Sequence, residues 1–138
     1  MTPKLLLVLA AASVAAVSAA SDLTPPTGYR QWFHVNSLTV DSASPLFATL
    51  GGLHNIYVNA KGLPGLQKGG AYADGSVFVD DIHAFTLASG VYSEGSRKAL
   101  SVMVKDSKTY MATGGWGFQL WAAGDAAKHD YVFSTYIP

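Results

Sequence analysis

Apolar and polar positions alternate most clearly over Ser76–Leu87. Val77, Val79, Asp81, His83, Phe85 and Leu87 fall on one side, and Phe78, Asp80, Ile82, Ala84 and Thr86 on the other. A period of two is the signature of a strand. Arg97–Val104 repeats it, with Leu100, Val102 and Val104 on one side, and Gly90–Gly95 between the two runs predicts the loop of a hairpin. His54–Val58 and Trp116–Trp121, each preceded by a Gly-Gly pair, predict two further strands. Tyr29–Val35 predicts a helical turn entering a strand, Lys61–Leu66 a single helical turn, and Lys105–Met111 a polar turn or short helix. Heptads, internal repeats and long amphipathic helices are absent from the sequence. The pattern therefore predicts a mainly β (α+β) single domain: an antiparallel sheet with one or two short helices.

The first twenty residues do not belong to that pattern. Lys4 is followed by a run from Leu5 to Val17 that is apolar except for Ser13, and Ser18-Ala19-Ala20 supplies small residues for signal peptidase. The run is shorter than the roughly 20 residues that span a bilayer. Residues 1–20 are expected to be a signal peptide cleaved after Ala19 or Ala20, leaving a domain at 21–138 in the periplasm or secreted, without a membrane anchor.

Charge and cysteine usage then remove whole classes of function. Lys4 is the one charged residue among the first twenty, so the remainder carries 8 Lys+Arg against 9 Asp+Glu, a formal charge of −1. Such a balance gives no basis for binding nucleic acid or an anionic membrane. The sequence holds 0 Cys. That excludes disulfides, a thiolate nucleophile, zinc–thiolate sites and iron–sulfur clusters from these residues. No Ser lies in a GxSxG context, the Gly pairs fit no phosphate loop, and Glu94 is the single Glu, placed in the expected hairpin loop, so no carboxylate dyad or catalytic residue is proposed.

What remains is imidazole and aromatic chemistry. His34, His54, His83 and His129 have no HxH or HxxxH spacing that would group them, yet imidazole with carboxylate suits copper or another divalent metal. Asp81 and His83 share a face otherwise built of Val, Phe and Leu, where an unpaired polar group is costly. Either they pair with each other or a metal, or a β-bulge at Asp80-Asp81 turns both to solvent. Trp32, Phe85, Trp116, Phe118, Trp121, Tyr131 and Phe133 either wall a flat ligand or fill a core.

Several stretches in order resemble the cytochrome P-460 family, and within it the branch close to cytochrome c-prime-beta: "GYRQWFHVNSLTV" (28–40), "GGLHNIYVNAKGL" (51–63), "YADGSVFV" (72–79), "EGSRKALSVMVKDSKTYMATGGWGFQLW" (94–121) and "HDYVFSTYI" (129–137). The resemblance implies an exported antiparallel β fold, commonly a homodimer. It also implies a c-type haem attached through Cys-x-x-Cys-His near the C-terminus, with hydroxylamine oxidation or binding of nitric oxide as the activity. This sequence departs from the family there: between Trp121 and His129 stands only "AAGDAAK". With neither thioether cysteines nor the axial histidine, the expectation is a haem-less relative that binds a small ligand or acts as a scaffold. The alternatives are a periplasmic copper-binding protein using His34, His54, Asp81, His83 or His129, and, ranked last, non-covalent haem binding with hydroxylamine or nitric oxide chemistry.

Overall fold

The computed structural model describes residues 23–122 and 128–129. Six antiparallel strands follow one another in sequence order across a single sheet: β1 (Phe33–Val40), β2 (Gly52–Val58), β3 (Val77–Ala88), β4 (Val91–Lys105), β5 (Trp116–Ala122) and the two-residue β6 (Lys128–His129). Two short helices, α1 (Phe47–Leu50) and α2 (Leu63–Lys68), fill the connections on either side of β2. Single 3-10 turns lie at Tyr29–Gln31 and Met111–Thr113. The mainly β, antiparallel, single-domain expectation is met. Among the described residues no helix is long and apolar enough to cross a membrane. The expected signal peptide and most of the C-terminal tail, including Tyr131 and Phe133, lie outside the described residues.

The central hairpin is longer than its sequence pattern suggests. Gly90–Gly95 is not a loop: β3 turns into β4 through Ser89 and Gly90 alone, with φ values of 52° and 80°. Two consecutive positive φ angles match the right-handed twist of paired strands, and Gly adopts them without a steric penalty. Val91–Ser96 was unreadable as strand because its apolar and polar residues do not alternate. It is exposed throughout, so no buried face imposes a period. Beyond His83 on β3 and before Ala99 on β4, no third strand flanks the hairpin among the described residues, and there it forms a two-stranded ribbon.

One face of the sheet carries the main core. Val79, Leu100 and Val102 are buried there beneath Tyr29 from the N-terminal turn, and Trp32, Tyr57, Val77, Val104 and Trp121 pack around them. Each fully buried Val contributes about 1.5–3 kcal/mol. Val58 and Ile82 are buried on the opposite face, alongside an edge-to-face cluster of Tyr72, Phe78 and Trp116 with ring centroids 5.3–6.1 Å apart. Asn59 secures the connection between β2 and α2. Its Oδ1 accepts from the amides of Gly62 and Val77, and its Nδ2 donates to the Gly75 carbonyl.

Candidate functional site

The period of two in β3 carries Asp81 onto the main core face, where its side chain is fully buried. The bulge that would have turned it outward falls later, in the register breaks flanking His83. Asp81 is instead enclosed by donors. Tyr29 Oη and Arg30 Nε donate to Oδ2 at 2.8 and 2.9 Å. Arg97 Nε donates to Oδ1 at 2.8 Å, and a further Arg97 nitrogen, Nη2, donates to the Tyr29 hydroxyl at 2.5 Å. Burial alone would raise the Asp81 carboxyl. The hydrogen bonds from Arg97, Tyr29 and Arg30 outweigh it and hold the group below the ordinary carboxylate value. Tyr29 moves the other way, raised by its burial and by donating to that carboxylate.

His83 completes the cluster. Its Nδ1 lies 2.9 Å from the Gly95 carbonyl, which can only accept, so Nδ1 carries the hydrogen. Nε2 stands 2.9 Å from both Asp81 Oδ1 and Arg30 Nη2. A neutral ring accepts from the guanidinium there, and a protonated ring donates to the carboxylate. Glu94, placed in β4 rather than in a loop, accepts from Arg30 at 3.2 Å and from Asn55 Nδ2 at 3.0 Å. Two carboxylates therefore face two guanidiniums, and the cluster is balanced in charge.

That balance decides what the cluster can do. The Asp81 lone pairs that would ligate a cation are taken by Arg30, Arg97 and Tyr29, and a guanidinium already stands beside the His83 nitrogen that faces Asp81. The other metal candidates are elsewhere. His34 on β1 bonds Ser37 at 2.8 Å and packs at a tilt against Tyr57, ring centroids 5.5 Å apart. His54 faces the opposite side of the sheet, bonded to Asp80 Oδ2 at 2.7 Å and the Leu50 carbonyl at 2.8 Å. His129 pairs in register with Leu120 in β6. Among the described residues no group of three or more His, Cys, Asp or Glu is placed to hold a metal ion. Of the metal candidates with described side chains, the structure brings together only Asp81 and His83. Arg30, Arg97 and Tyr29, their partners, carried no signal in the sequence beyond the need of a buried carboxylate for some partner.

The aromatic candidates divide in the same way. Trp121 joins the main core on one face, with Trp32 packed beside it, whereas Trp116 and Phe118, at alternate positions of the same strand, face the other side. They cannot wall one pocket, because successive strand residues point to opposite faces. Phe85 has a different role: it lines an open cleft of about 490 Å³ between α1, the start of β2 and the free end of the β3–β4 ribbon. Phe47, Leu87 and Tyr92 line it as well, with Asp41 and Lys98. Phe85 and Tyr92 pack with ring centroids 5.4 Å apart, and Lys98 Nζ donates to the Gly51 carbonyl. The volume is within the 300–1,000 Å³ of small-molecule sites, and an apolar lining with few polar groups is their usual chemistry.

No curated protein matches this sequence. The family model for cytochrome P460 matches residues 26–134, from the residues before the N-terminal turn to beyond β6. With that match spanning most of its length, the chain belongs to the cytochrome P460 family.

Proposed function

We propose that this is an exported, haem-less member of the cytochrome P460 family that binds a small ligand in the cleft between α1 and the β3–β4 ribbon. The observation that carries this is the cleft itself: Phe47, Leu87 and Tyr92 remain 43%, 56% and 50% exposed around an open hollow. The sequence contains 0 Cys, so these residues cannot form the thioether bonds of a c-type haem. A ligand held in the cleft is therefore held by packing and by a few polar contacts. The buried Asp81 cluster fixes the base of the ribbon, which supplies one wall.

Titration of the mature protein with the neutral fluorescent probe N-phenyl-1-naphthylamine tests the proposal. Saturable one-to-one binding that weakens at least fivefold in Phe85→Ala is expected. Non-saturable binding, or binding indifferent to Phe85→Ala in a folded variant, would overturn it. A stoichiometric Soret band from protein produced with cytochrome c maturation machinery would sink the haem-less assignment.

A further inference from the structure

Resting on that cleft as the ligand site, we propose that its ligand class is a small aromatic carboxylate, with the acid group on Lys98 and the ring among Phe47, Phe85 and Tyr92. Lys98 is exposed but tethered: its ammonium donates to the carbonyl of Gly51, another residue of the lining. An ammonium has three donors, so two remain for a ligand. The lining also holds one carboxylate, Asp41, whose Oδ1 accepts the Ala43 amide within its own turn at 2.9 Å. The His54 imidazole lies close enough to feel the charge of Lys98. It is held by the Asp80 carboxylate and the Leu50 carbonyl, so Lys98 remains the cation of the cleft lining. A cation in the lining of an aromatic-walled cleft is complementary to a flat anion, and a hydrogen bond from a charged donor is stronger than a neutral one. Aromatic walls favour a ring because offset and edge contacts between rings add to area burial.

The test compares two ligands with the same ring. Displacement of N-phenyl-1-naphthylamine is measured with 1-naphthoate and with 1-naphthalenemethanol, at low and at physiological salt. The naphthoate is expected to bind about tenfold tighter than the alcohol, an advantage that shrinks with salt. Lys98→Met, which keeps the aliphatic stem, is expected to abolish the preference. Lys98→Arg is expected to retain the preference. Equal affinities in the unaltered protein, or a preference that survives Lys98→Met, would overturn the inference while leaving the cleft a ligand site. Failure of the probe to bind at all would remove the cleft.

Discussion

Asp81 and Arg97 meet across the β3–β4 pair, Nε to Oδ1 at 2.8 Å, with the carboxylate fully buried and the guanidinium 43% exposed. This pairing sets the character of the cluster. The acid is removed from water, while its two arginine partners remain at the surface and keep part of their hydration. Breaking a buried pair by deleting one partner costs more than the pair itself contributes, because it leaves groups desolvated and unmatched.

Asp81→Asn is therefore expected to cost about 3 kcal/mol at neutral pH, read from urea denaturation. The dependence on pH distinguishes charge from shape. The folded-state value of Asp81 is depressed, so its contribution is present above the unfolded value of about 3.9 and is lost as pH falls through the folded value. The gap between the unaltered protein and Asp81→Asn should narrow on acidification through that window. A gap that stays constant would mean that the carboxylate is not stabilised by its charge.

His54 titrates in the opposite sense. Both ring nitrogens face acceptors, Asp80 Oδ2 and the Leu50 carbonyl, so the imidazolium satisfies the site better than the neutral ring. Burial works against the charged form, but the Asp80 carboxylate and the Leu50 carbonyl prevail and raise His54 above its ordinary value. Its contribution is thus complete below the unfolded value of about 6.5 and disappears as pH rises through the raised folded value. Thermal melts should show a loss of stability on the alkaline side of 6.5 that His54→Gln lacks. At pH 6 that variant should be less stable by about 1.5–3 kcal/mol. Parallel pH profiles for the two proteins would refute the assignment.

How much of this was legible depended on what each residue touches. Ser76–Leu87 was readable as a strand because one buried face imposes a period of two, and the same period identified Asp81 and His83 as misplaced polar residues in need of partners. Tyr29 and Arg30 could not be found as those partners. They lie more than fifty positions away and reach Asp81 through a 3-10 turn folded across the sheet. Arg97 was closer to reach, since it stands opposite His83, but that register required the two-residue turn at Ser89-Gly90. Of the cleft, Phe85 was among the aromatic candidates, but Phe47, Leu87 and Lys98 come from three elements with no shared period and could not be grouped with it.

Gly52 stands where the cleft floor meets the sheet, and only its lack of a side chain permits the contact. Its φ is 154°, and a Cβ there would lie 2.6 Å from the His83 carbonyl oxygen. Gly28 has a φ of 68° but no neighbour within 4 Å of its Cβ direction. Gly28→Ala should therefore show only the backbone penalty of about 1 kcal/mol, and Gly52→Ala about 3 kcal/mol from strain and displacement together. Equal losses in chemical denaturation would show that β2 and β3 separate at no cost.

The last prediction concerns whether the Asp81 cluster acts as a unit. The Tyr29 hydroxyl donates to Asp81 Oδ2 and accepts from Arg97 Nη2, so it bridges acid and base as well as capping the core. Tyr29→Phe keeps the ring over Val79 and Leu100 and should cost about 1–3 kcal/mol for the unmatched donor and acceptor. Arg97→Met should fall in the same range, since the guanidinium's exposure moderates the electrostatic loss. If the network is cooperative, the double variant will lose less than the two single losses combined, with a coupling of at least 0.5 kcal/mol. Strict additivity in urea unfolding would mean that Tyr29 and Arg97 each hold Asp81 independently. The base of the ribbon would then rest on separate contacts rather than on one cluster.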